Sequence, residues 1–214
     1  MTTTRLNGVD LDYITPLTIR SNKPAFVTDT QNLRRFSNIT GAQRWELEIT
    51  FSGGKGDNVF GALSSHLALY DFGTSFKIAM PQNLGLTAPA NNTYTIDVSS
   101  AIPLGTKTLT LTATHDIPIG WFVRLGNGTK VYSVVATTSN TITLNTGITT
   151  AYATSATNNT VIAKGDTYTD IGSNLITLSD TVAITVVHDT KTTALTYSSG
   201  LIQNILWTFI EKIV

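Results

Sequence analysis

From Arg44 to Phe51 the chain reads "RWELEITF": Trp45, Leu47, Ile49 and Phe51 alternate without a break with Arg44, Glu46, Glu48 and Thr50. Successive side chains of an extended strand point to opposite faces, so one face of this stretch is core and the other meets water or a partner. A helix would scatter the four apolar side chains around its axis. A second stretch near the C-terminus, "ILWTFIE", repeats the pattern, with Ile205, Trp207, Phe209 and Glu211 on one face and Leu206, Thr208 and Ile210 on the other. Both of its faces are rather apolar, which predicts a strand held between layers or between subunits. The shared tryptophan-rich texture predicts that the two ends of the chain form one core and that the threonine-rich middle is an insertion.

Other segments fit that plan. Residues 13–20 read as a strand stopped by "SNKP", where Pro24 lacks a backbone donor. Val59, Phe60, Leu63, Leu67 and Tyr70 recur at helical spacing in "VFGALSSHLALYDF", the one convincing helix, and "TSFKIAMP" returns to strand. Beyond Asp97 there are four short strand candidates, near 107–112, 121–125, 130–135 and 140–145, separated by Gly, Asn or Pro turns. That spacing predicts a small closed or nearly closed barrel. Residues 146–160 are loop-like, and 161–180 carry no clear periodicity. The expected fold is mainly β: a β-sandwich or split-barrel domain with one amphipathic helix, from residues 1–96 and 175–214, carrying an inserted β-barrel at 97–174.

Charge bounds the partners. Fourteen Lys and Arg balance fourteen Asp and Glu, so no net field draws the chain to nucleic acid or to an anionic membrane. The N-terminal "MTTTRLNGVD" lacks a signal-peptide core, and no run approaches the ~18 apolar residues of a membrane helix, so the chain reads as soluble and unexported. Charged residues are only 13% of the total, and Thr, Ser and Asn fill the remaining polar positions. A surface so easily desolvated suits a protein covered by neighbours, a reading preferred over that of a threonine-rich β protein standing alone.

Catalytic chemistry is hard to find. Cysteine is absent, which excludes disulfides and thiolate sites. His66, His115 and His188 are the three histidines, and none has a partner at metal-ligand spacing. No nucleophile elbow, phosphate loop or zinc-protease motif is present, so no cofactor, metal or catalytic residue is assigned. Glu46 and Glu48 share a face, as any alternating strand requires. The residues singled out instead are Arg34, Arg35, Arg44, Glu46 and Glu48 as a subunit interface, and Trp121 with Tyr132 as a ligand platform that could stack a sugar on an exposed sheet.

The order of these pieces carries a resemblance. "GAQRWELEITF", the amphipathic helix, "GTSFKIAMP", the threonine-rich stretch with "GWFVRLGNGTKVYSV" and the terminal "WTFIE" together resemble the distal tail and baseplate-hub type proteins of tailed bacteriophages. The resemblance implies a virion protein assembled in the host cytoplasm. It further implies a ring domain, generally hexameric, that joins the tail tube to other tail-tip proteins, and an insertion similar to an oligonucleotide/oligosaccharide-binding barrel. Arg34 and Arg35 are then expected to bridge to the next protomer. The competing expectation is a carbohydrate-binding module of a surface-recognition protein.

Overall fold

Trp207 sits beside the strand that holds Trp45, paired through its backbone with Ile49. In the computed structural model the described residues are 3–29, 35–39, 42–53, 57–70, 73–82, 85–97, 101–152, 159–170, 172–189, 194–198, 201–202 and 204–213. The N-terminal strands are β1 (Thr3–Leu6), β2 (Val9–Asn22), β3 (Ala25–Asp29), β4 (Arg35–Ile39) and β5 (Arg44–Phe51), followed by helix α1 (Asp57–Leu69) and β6 (Phe76–Ala79). A middle series comprises β7 (Thr93–Thr95), β8 (Thr108–Thr110), β9 (Phe122–Leu125), β10 (Val131–Thr137), β11 (Thr141–Leu144) and β12 (Thr160–Ile162). The chain closes with β13 (Thr167–Thr169), β14 (Leu175–Thr177), β15 (Ala183–His188), β16 (Tyr197–Ser198), β17 (Leu201–Ile202) and β18 (Ile205–Glu211).

The first sheet runs β1-β2-β5-β18-β15-β6, antiparallel at each step. It curls until its two edge strands nearly meet. Side chains finish the closure: the Ala79 amide donates to Thr4 Oγ1 at 3.2 Å, and the Tyr13 hydroxyl donates to the Ala79 carbonyl at 2.6 Å. Inside lie Leu47, Ile49, Phe51 and Phe209, all fully buried, with edge-to-face contacts from Phe51 to Tyr13 and Trp207. Burial of side chains this size contributes roughly 1.5–3 kcal/mol each, which makes β5 an anchor of the domain. The ladder between β2 and β5 shifts register between Ile14 and Thr18, where Pro16, with no N–H to give, stands.

Helix α1 packs against β1 and β2, but its buried face differs from the expected stripe. Ala62, Leu63 and His66 are buried, whereas Phe60 turns outward and is 46% exposed. The inward face therefore includes a histidine, which an apolar count passes over.

The second sheet, β7-β12-β9-β10-β11-β8, closes on itself. Ile96 bridges Leu111, the Asp97 amide donates to the Thr110 carbonyl at 2.6 Å, and the Thr112 amide donates to the Thr95 carbonyl at 3.0 Å. Ile96, Val123, Ile142 and Val161 fill this smaller barrel. A register shift between Val134 and Ala136 leaves Val135 outside, 48% exposed.

The protein is thus mainly β, with one helix among the described residues and a small barrel set into a larger one. Strands of the small barrel run from Thr93 to Ile162, while the insertion read from sequence spans 97–174. The difference has a physical source. β7 and β12 are three residues each, too short for alternation to register. Tyr168, Ile176 and Leu178, on and just after the β13–β14 hairpin, pack into the first core rather than the second.

Candidate functional site

The junction of the two barrels gathers a buried ion pair and the polar groups that surround it. Lys130, just before β10, donates from Nζ to Glu211 Oε2 at 2.5 Å, to the Gln43 carbonyl at 2.5 Å and to Gln43 Oε1 at 2.8 Å. Glu211 also accepts the Val131 amide at Oε1 (2.8 Å) and the Trp45 amide at Oε2 (3.0 Å). Both ionic side chains are out of water, at 3% and 0% exposure. Burial pushes the Glu211 carboxyl up and the Lys130 amine down from their ordinary values, and each partner's opposite charge counters that shift. Around the pair, the Trp45 indole donates to the Val131 carbonyl at 2.8 Å, and the Trp45 ring meets Phe122 edge-on with centroids 5.1 Å apart.

Two further contacts fix the same seam. The Gln82 carboxamide donates to the Phe122 carbonyl at 3.0 Å and accepts the Phe122 amide at 3.1 Å, so one side chain replaces a neighbouring strand. Arg124 grips Asp166 with Nε and Nη2, at 2.8 and 2.5 Å, while its Nη1 holds the carbonyls of Gly126 and Gly128 in the β9–β10 turn. Asp166 in turn accepts the Ala183 amide of β15 at 2.9 Å. Such a seam ties the two barrels together through side chains as well as through the chain connections.

Next to it opens a cleft of about 530 Å³, walled by β1, β14 and residues 178–181 on one side and by Gln82, Leu86, Ala88 and Trp121 on the other. Arg5, Asp10, Thr177 and Asp180 bring polar groups to it, and Leu175, 71% exposed, also lines it.

A second buried cluster sits inside the first barrel. His66 Nε2 and His188 Nε2 are 3.2 Å apart, a hydrogen bond that requires opposite tautomers of two neutral imidazoles. His66 stacks on Trp207 at 5.3 Å and meets Phe76 edge-on at 4.6 Å. Burial and the neighbouring His188 lower the His66 pKa to about 3, and burial lowers that of His188 to about 4. Sequence reading treats the two as isolated because 122 positions separate them. No group of three or more His, Cys, Asp or Glu suited to a metal occurs among the described residues. His115 has an ordinary turn role: its Nδ1 accepts the Ile117 amide, and its Nε2 faces the Thr141 carbonyl at 3.1 Å.

The residues singled out from sequence fall into three groups. Arg34 lies outside the described residues, and of Arg35 only the backbone is described, at the start of β4. Arg44, Glu46 and Glu48 line the outer face of β5, but they are paired within the chain. Arg20 meets Glu48 at 3.0 Å, Asn22 donates to Glu46 at 2.7 Å, and Arg44 lies 3.4 Å from Glu46. Trp121 and Tyr132 do not form an open platform. Each is 2% exposed, with the Trp121 indole donated to the Ala163 carbonyl and the Tyr132 hydroxyl bound by the Thr149 amide. Closure of the small barrel turns both rings inward, and Trp121 keeps only its place in the wall of the cleft.

No protein-family profile matches the chain, and no curated protein matches its sequence.

Proposed function

We propose that the protein is a structural component of a phage tail tip, whose copies form a hexameric ring joining the tail tube to neighbouring baseplate proteins. The reading rests on the resemblance of the sequence, and one structural observation supports it. The β2–β5 ladder reaches its last rung at Asn22 and Arg44, and the β3–β4 ladder continues from Ala25 and Ile39 as an arm whose strands pair only with each other among the described residues. Two free strand edges are a template for pairing with another chain, and a repeated head-to-tail contact closes into a ring when its rotation allows. The low charge of the chain keeps the cost of covering its surface small. In this reading Arg35 and the outer face of β5 lie close to the contact, and no turnover takes place.

Light scattering after size exclusion, with negative-stain microscopy, tests it. A ring is expected from the intact chain, and single copies from a variant in which residues 25–39 are replaced by a tight turn. An intact chain that stays monomeric at high concentration, alone and with tail-tube protein, overturns the reading.

A further inference from the structure

We propose that the cleft between the β1/β14 wall and the wall formed by Gln82, Leu86 and Ala88 is a binding site for a neutral saccharide. This goes beyond the ring reading and does not depend on it. The volume, about 530 Å³, falls within the range of small-ligand sites, and the position at the junction of two barrels is where such sites form.

The lining selects the ligand. Arg5 brings a guanidinium held by Asp10, whose Oδ1 lies 3.4 Å from Nε, and by the Gly8 carbonyl, which Nη2 reaches; Nη1 makes no hydrogen bond among the described residues. Asp180 is oriented by the Ser179 hydroxyl, which donates to Oδ2 at 3.0 Å, and Oδ1 accepts no bond among the described residues. Thr177, exposed on β14, adds a hydroxyl that can donate or accept. One guanidinium beside the carboxylates of Asp10 and Asp180 disfavours an anion, and the Arg5 guanidinium, already paired with Asp10, disfavours a cation. The polar rim disfavours a purely apolar ligand. What remains is an uncharged molecule that offers donors and acceptors around an apolar ring face. Leu86 and Leu175 supply the apolar side of that match.

The test is an array of neutral and charged oligosaccharides probed with the full chain, followed by calorimetric titration of any glycan retained. Retention of neutral glycans is expected, with affinity reduced about tenfold or more in both Asp180→Ala and Thr177→Val and unchanged in Ser139→Ala, outside the cleft. Both altered side chains are exposed, and thermal melts verify that the variants are folded. Failure to retain any neutral glycan, retention of charged glycans alone, or binding indifferent to both variants overturns the proposal. Capture of extended peptides from a peptide array, competing at the same cleft, overturns it as well. Light scattering on the same samples reads ring formation separately, so loss of one property leaves the other measurable.

Discussion

Lys130 and Glu211 stand 81 positions apart in sequence and meet at 2.5 Å, with neither side chain in contact with water. Glu211 ends a strand of the larger barrel and Lys130 begins the hairpin return of the smaller one. Their pairing converts an insertion into part of a shared core. A buried ion pair is tolerated only when its remaining hydrogen-bonding capacity is met, and here Gln43, Trp45 and Val131 meet it.

Removing the cation alone should therefore be severe. Lys130→Met leaves Glu211 charged in a dry site and is expected to cost about 3–5 kcal/mol in urea unfolding. Adding Glu211→Gln restores neutrality and keeps an acceptor for one of the two backbone amides, so the double variant should recover part of the loss. Adding Glu211→Leu instead orphans those amides and should recover less. Equal recovery by Gln and Leu would count against the hydrogen-bonded account.

The paired imidazoles give stability a pH dependence. Both His pKa values are lowered on folding, so between pH 6.5 and about 3 the unfolded chain binds more protons than the folded one. Their contribution is complete above pH 6.5 and is lost as pH falls toward the folded values of about 4 and about 3. Glu211, whose pKa is raised, acts in the opposite sense over the acid range. The histidine share is isolated by comparing the intact chain with His66→Leu/His188→Phe. Melting temperatures of the variant should fall less steeply from pH 7 to pH 4. Parallel slopes would exclude the pair as the source.

Gln82 should behave as more than a surface amide. Gln82→Ala leaves the Phe122 N–H and carbonyl without their partner, an expected loss of about 1–3 kcal/mol. Hydrogen exchange at the Phe122 amide should accelerate more than at Val123. Unchanged protection at Phe122 would show that the carboxamide contributes nothing there.

The outer face of β5 should separate stability from assembly. Arg20 and Glu48 remain 58% and 34% exposed, so Glu48→Ala is expected to change single-chain stability by less than about 1 kcal/mol. If this face touches a neighbouring copy, Glu46→Ala/Glu48→Ala shifts the particle mass in light scattering while leaving the melt nearly constant. A large fall in melting temperature would place these carboxylates in the fold instead.

The legible parts of the fold were those with a long, regular period. β5 and β18 announce themselves because every second residue is apolar over a full strand, and their pairing follows from needing a common core. β7 and β12 are hidden because three residues such as Thr93-Tyr94-Thr95 give only one inward side chain. The polar junction was hidden for another reason: Lys130 and Glu211 look like solvated charges until topology brings them together. The same holds for His66, which sits at a helical position that packing assigns to the interior. Trp121 and Tyr132 misled in the reverse direction, since an aromatic ring in a short strand reads alike whether it faces the inside or the outside of a barrel.

β6 and β15 are adjacent rungs of one ladder, Ala79 opposite Ala183, and the Met80 amide bonds the Val182 carbonyl at 2.8 Å just past them. The smaller barrel and the β13–β14 hairpin after it are thus spliced together into what is otherwise a plain hairpin, with their entry and exit side by side. A different module with closely spaced ends could be grafted on the same stem without redrawing the parent sheet, provided it brings its own answer to the carboxylate of Glu211 and to the space that Tyr168, Ile176 and Leu178 fill.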